Sequence, residues 1–262
     1  MNALPDPAPL VRAFGDAPVF LHAHPDDESI STGGTIAALI EAGATVTVLT
    51  GTRGERGEVV PGELHGLEGT DELAPHRVDE LAAALAALGG PRHAFLGEAP
   101  ARAPGLPARE YSDSGMRWGA DGFAEPADDA APHSLSLAPL GEVVDDVLAA
   151  AGRPTAVVSY DPVGGYGHPD HVRMHYAALE VARRLGIPFF AIVEPRVEAR
   201  VEAPSGLPAG RELTVELGDL VATKIRAMAA HRTQLTIDGP DFVLSGGQRH
   251  PVAVVERFRR VT

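Results

Sequence analysis

Short apolar runs alternate with amphipathic stretches along most of the chain. Ala17–Ala23 (APVFLHA) and Thr45–Thr50 (TVTVLT) are apolar, β-branched runs of strand length. Between them, Ser31–Ala42 carries apolar residues at helical spacing and is closed by Gly43. This is a βαβ unit, which implies a parallel sheet with a right-handed crossover. The pattern continues with a helix over Glu72–Leu88, where Val78, Leu81, Leu85 and Leu88 share a face, and a short strand over His93–Leu96. It then predicts a helix over Leu140–Ala151, a strand over Ala156–Tyr160, a helix over Val172–Leu185 and a strand over Pro188–Val193. Arg196–Glu202 and Glu212–Leu217 alternate as edge strands do; Leu220–His231 reads as a helix and Pro251–Phe258 as a final strand. Glu98–Pro139 is weakly periodic, and a segment of that length inside a compact domain is usually functional or disordered. An ordered part of it around Tyr111–Trp118 is expected to form one wall of a pocket. The whole reads as a single α/β domain over 1–262, with a mostly parallel sheet flanked by helices and long active-site loops. The core is expected over about 17–195, and a C-terminal elaboration carrying strands over about 196–262.

Composition narrows the chemistry. Apolar residues make up 44% and charged residues 22%, ordinary for a globular protein. The formal net charge of −14 argues against nucleic-acid and anionic-membrane partners. No stretch approaches the roughly 20 apolar residues of a membrane span. Met1–Asp16 is Pro/Ala-rich without a basic start, so it does not read as a signal peptide, and a cytoplasmic location is expected. There is no cysteine, so any metal site must use His, Asp or Glu. Lysine occurs once, at Lys224, and asparagine once, at Asn2, a bias of GC-rich genomes.

The candidate chemistry lies just beyond two of the predicted strands. Residues 23–28 read Ala-His-Pro-Asp-Asp-Glu, and residues 164–171 read Gly-Gly-Tyr-Gly-His-Pro-Asp-His. Pro25 restricts the turn between His24 and Asp27, so both can face one centre, and His171 is placed to join them from the second loop. In open α/β sheets ligands bind beyond the carboxyl ends of the strands, near the switch point of strand order. Three protein ligands leave a position open, as catalytic zinc sites do. With Asp27 on the metal, Asp26 is free to act as general base, or only to orient a ligand. His168 can stabilise an oxyanion, protonate a leaving group, or merely support the site, and Asp170 can fix its tautomer. A single His-Pro-Asp cluster reads as readily as a solvated turn; two after two strands do not.

These motifs resemble those of the LmbE-like, or PIG-L, zinc-dependent N-deacetylases, from Phe20 to Ala-His-Arg-Thr-Gln at 230–234. The resemblance is strongest to the branch acting on N-acetylglucosaminyl-inositol in mycothiol biosynthesis. Further matches are Glu28-Ser29-Ile30-Ser31, Gly54-Glu55-Arg56-Gly57-Glu58-Val59, Asp113-Ser114-Gly115-Met116 and Asp161 to His168. It implies a Rossmann-like fold and hydrolysis of an N-acetyl group on an amino-sugar glycoside. It implies zinc, with Fe2+ as the alternative, on His24, Asp27 and His171. Asp26 would be the base, His168 the oxyanion donor, and Tyr166 a mobile tyrosine near the oxyanion. Ser31, Glu58, Arg77, Asp113 and Met116 would line the sugar pocket. Arg77 could instead pair with Glu80 at helical spacing, and Met116 and Trp118 could be core. The sister mycothiol S-conjugate amidases share the motifs but are expected to carry Lys where this chain has Ser31. Two other classes compete. A two-His, one-carboxylate set also suits a non-haem iron oxygenase, but such sites sit in β-rich folds. A non-catalytic sugar-binding protein would not need both Asp26 and His168.

Overall fold

The computed structural model describes residues 7–120, 122–193 and 212–262. Its elements are α1 (Pro7–Phe14), β1 (Val19–His22), α2 (Asp27–Glu41), β2 (Thr47–Thr50), α3 (Leu73–Ala87) and β3 (Arg92–Phe95). A hairpin, β4 (Met116–Trp118) and β5 (Ala124–Pro126), precedes α4 (Leu140–Ala151), β6 (Val157–Ser159), α5 (Pro169–Leu185) and β7 (Phe189–Ile192). The rest comprises β8 (Glu212–Glu216), α6 (Leu220–Met228), β9 (Leu235–Asp238), β10 (Asp241–Leu244), β11 (Arg249–Pro251) and β12 (Val255–Arg260).

Seven strands form the main sheet in the order β3-β2-β1-β6-β7-β12-β8. The first five are parallel, and β12 runs antiparallel to both β7 and β8. The fold is therefore α/β, with a mostly parallel sheet flanked by helices. From β1 the chain winds out through β2 and β3, then returns to lay β6 on the other side of β1. That reversal opens a crevice beyond the carboxyl ends of β1 and β6.

Side chains alternate between the two faces with the strand period of two. Phe20, Val48, Val158, Phe190 and Phe258 join Phe14 of α1, Ile36 and Leu39 of α2 and Leu81 of α3 on one face. Leu21, Leu49, Val157 and Phe189 face Val143 and Val147 of α4 and Met174 and Val181 of α5 on the other. Phe14 packs on Phe190 and Phe258 at centroid distances of 4.8 and 5.3 Å, so α1 belongs to the core although its sequence is Pro/Ala-rich. Among the described residues no helix is long and apolar enough to cross a membrane.

Several elements differ from the pattern-based expectation. Helices α2 and α5 begin four and three residues earlier than their apolar periodicity, because the His-Pro-Asp motifs are themselves helix starts. His168 is the N-cap of α5, its Nδ1 accepting the Asp170 N–H at 3.2 Å, and Pro169 follows at the first helical position. Helix α6 ends at Met228, short of His231. The expected strand at Pro251–Phe258 divides between β11 and β12, which lie in different sheets. The β9–β10 hairpin has no counterpart in the apolar pattern. The strand expected over Arg196–Glu202 lies outside the described residues.

Helices α2 and α6 meet over a buried ion pair. Lys224 Nζ lies 2.7 Å from Glu256 Oε1, and Glu256 also accepts backbone N–H groups of Gly34 and Thr35 at 3.0 and 2.8 Å. Removing one member of a buried pair leaves an uncompensated charge. Lys224→Met is expected to cost about 3–5 kcal/mol of stability, read as a lower urea midpoint.

Candidate metal centre

Two loops meet in the crevice, one leading from β1 into α2 and one from β6 into α5. His24 Nδ1 lies 3.4 Å from Asp27 Oδ2, His171 Nε2 lies 3.4 Å from the same oxygen, and the two nitrogens are 3.3 Å apart. Zinc bonds of about 2.0–2.1 Å at tetrahedral angles place donor atoms about 3.3–3.4 Å apart. The triangle has the size of one face of such a site.

The surroundings prepare each donor. His24 Nε2 faces Asp170 Oδ2 at 3.3 Å and Asp113 Oδ1 at 3.6 Å. A proton on Nε2 leaves the Nδ1 lone pair for a metal, the arrangement carboxylates impose on ligating histidines. Burial disfavours charge on His24, but Asp113, Asp170 and Asp27 outweigh it and hold its pKa well above the ordinary value. A divalent cation would replace that extra proton. Burial would raise the Asp27 carboxyl, yet His171 and His24 hold it well below the usual range. Tyr160, at the end of the β6 strand run, donates to Asp27 Oδ2 at 2.6 Å and stacks on the His171 ring at 3.9 Å. Wider groupings also exist: the ring nitrogens of His24, His168 and His171 lie within 4.8 Å of one another, as do donors of His24, Asp113, His168 and Asp170. All three edges of the His24–Asp27–His171 triangle are of tetrahedral size.

Asp26 precedes α2 with φ 118°, the one positive φ at a non-glycine among the described residues. Such a conformation costs on the order of 1–3 kcal/mol and is held by surrounding structure. Burial, with the charges of Asp27 and Glu28, pushes its carboxyl up to about 6 against the pull of Arg77 and His231. That is near the range suited to a general base. Arg77, expected to line the sugar pocket, is 2% exposed and engaged with the protein itself. It donates to Gly54 O at 2.6 Å and to Pro25 O, and sits 3.5 Å from Asp26 Oδ2. Its alternative partner at helical spacing, Glu80, instead takes Thr233 N and Oγ1 at 2.8 and 2.6 Å.

His168 is buried, and burial with the neighbouring His24 and His171 holds its pKa well below the usual value. With Nδ1 accepting the Asp170 N–H, its Nε2 carries the proton as a neutral donor. Asp170 thus does fix the His168 tautomer, but through its backbone. Its carboxylate turns away to His24 and to Ser114, whose N–H it accepts at 2.9 Å and whose hydroxyl it also binds. The Tyr166 ring lies 5.2 Å from that of His171 and 6.0 Å from that of His168. Asp113 reaches the centre through His24, with its own N–H held by Glu55 at 2.7 Å. Met116 opens β4, half-buried, and Ser31 is half-buried in α2. Glu58 is exposed and accepts the Ser245 hydroxyl at 2.9 Å. Trp118 is 54% exposed, 5.8 Å from the Tyr166 ring, so it is not core. Tyr160 and Ser114 were not anticipated as site residues.

Comparison with known proteins follows the same lines. Residues 19–182 match the PIG-L family, described as GlcNAc-PI de-N-acetylase. A 1D-myo-inositol 2-acetamido-2-deoxy-α-D-glucopyranoside deacetylase of Kineococcus radiotolerans is 41% identical, covering 93% of this chain and 76% of its own. A protein of the same description from Saccharomonospora viridis is 40% identical, covering 92% and 93%. Among solved structures, the A40926 pseudoaglycone deacetylase superposes with a TM-score of 0.62 over 94% of this chain and 97% of its own, at 23% identity. That last likeness speaks for the fold.

His24→Ala and His171→Ala should each lose tightly bound zinc after dialysis, whereas His168→Ala should retain it, as metal analysis of the purified variants will show.

Proposed function

Because the chain belongs to the PIG-L family of GlcNAc-PI de-N-acetylases, we propose that it is a zinc-dependent amidohydrolase that deacetylates 1D-myo-inositol 2-acetamido-2-deoxy-α-D-glucopyranoside. The free amine so released would serve mycothiol biosynthesis in the cytoplasm. The observation that carries the reaction class is the donor triangle of His24, Asp27 and His171 with Asp26 and His168 beside it. The substrate rests on the relatives at 40–41% identity.

Zinc held by these three side chains would supply Lewis acidity, lowering the proton affinity of water and polarising an amide carbonyl. Asp26 takes the proton of the attacking water. The His168 Nε2–H donates to the amide oxygen as negative charge develops there, and the Tyr166 phenol approaches from the same loop. The leaving amine needs a proton. Neutral His168 is a poor source, because burial and its two imidazole neighbours oppose its charged form. Asp26, poised near 6, is the better carrier and returns the proton it took.

Two expectations follow from these roles. Asp26→Asn should keep its metal and lose roughly 10²–10⁴ in kcat. In the wild type kcat/KM should fall as pH drops through the Asp26 pKa, at about 6 or lower once a cation is bound, because the base must be ionised. His168→Ala should lose roughly 10²–10³ in kcat while any basic limb of the pH profile persists. Loss of that limb would make His168 the acid instead.

The substrate is tested by product analysis with the glucosaminide and with a mycothiol S-conjugate side by side. Acetate release from the first should dominate. Preferential cleavage of the S-conjugate would move the protein to the amidase branch.

A further inference from the structure

The peptide bond between Pro25 and Asp26 is gripped at both ends by charged side chains. Its carbonyl accepts from Arg77 Nη2, and its N–H donates to Glu28 Oε2 at 3.0 Å. Glu28 is fully buried, and its other oxygen accepts from Ser29 Oγ at 2.5 Å and His231 Nε2 at 2.8 Å. His231, also fully buried, comes from the segment after α6, 203 residues along the chain from Glu28. Burial disfavours its charge, but Glu28 holds its pKa above the ordinary value. Arg77 is braced by Gly54 O.

This arrangement surrounds the one non-glycine residue with a left-handed φ. Returning Asp26 to a negative φ would rotate the peptide plane, taking the carbonyl away from Arg77 and the N–H away from Glu28. The carboxylate of Asp26 would swing with it. Replacing a whole buried ion pair by apolar side chains of equal volume is often neutral for stability, so stability alone does not account for a Glu–His pair here. Its geometry instead fits a demand of the chemistry, because displacing a reacting group by an ångström costs rate steeply.

We propose that Arg77, Glu28 and His231 form a clamp on the Pro25–Asp26 peptide that aims the Asp26 carboxylate, with His231 a positioning residue acting through Glu28. The proposal rests on the reading of Asp26 as the base. It takes Arg77 out of the sugar pocket and gives a function to the Ala-His-Arg-Thr-Gln segment, which lies outside the donor set.

A double-mutant cycle tests it. His231→Leu should lower kcat roughly 10- to 100-fold, with KM, zinc content and the circular dichroism spectrum unchanged. His231→Gln keeps a donor for Glu28 and should recover most of the rate. In an Asp26→Asn background the same His231→Leu change should cost less than about two-fold, because no base remains to be aimed. Should His231→Leu fail to fold, Glu28→Gln, which still offers an acceptor to the Asp26 N–H, replaces it in the cycle. Equal losses in both backgrounds, or a change in KM or zinc instead of kcat, would overturn the clamp while leaving the base assignment intact. Full activity of Asp26→Asn alone would overturn both.

Discussion

Three electron-rich atoms drawn to within 3.4 Å of one another repel unless a cation or proton lies among them. Much of the structure around the site makes that convergence possible. The reversal of strand order at β1 and β6 brings two helix starts together, and each places its share of these side chains within its first turn or just before it. The outward side of each donor is then occupied. Asp170 and Asp113 face the far nitrogen of His24, Tyr160 holds Asp27 and covers the His171 ring, and Ser114 binds Asp170. The donors have little freedom left to drift apart.

The same crowding separates the roles of chemically similar groups. Asp26 and Asp27 are adjacent carboxylates, yet one is pushed up by burial and the other held down by two imidazoles. His24 and His168 are neighbouring imidazoles, with ring centroids 4.5 Å apart, and they shift in opposite directions. Carboxylates outweigh burial at the first, whereas burial and two other imidazoles prevail at the second. Each pair of like residues thereby gains two different affinities for a proton a few ångströms apart.

The main layers and the meeting of the two His-Pro-Asp motifs were legible because their signals are local. Apolar periodicity marks the buried faces, and each His-Pro-Asp motif carries its ligands within a few residues. The early starts of α2 and α5 were hidden because Pro and Asp read as loop residues, although both suit a first helical turn. Tyr160, Ser114 and His231 escaped for another reason. Their partners are 133, 56 and 203 residues away, and no periodicity announces such contacts. Arg77 stands out in the sequence as a pocket candidate, but its contacts with the carbonyls of Gly54 and Pro25 lie 23 and 52 residues away and leave no local signal.

The sheet order also bears on how the chain assembles during synthesis. Strand β12 is made after β8, yet it lies between β7 and β8. A nascent chain can complete the five parallel strands first, but β7 then keeps a bare edge until β12 arrives. Lys224 and His231 are made shortly before that strand, and Glu256 within it. The ion pair beneath α2 therefore closes last, and a ribosome-bound intermediate would already hold His24, Asp27 and His171 well before its architecture is sealed.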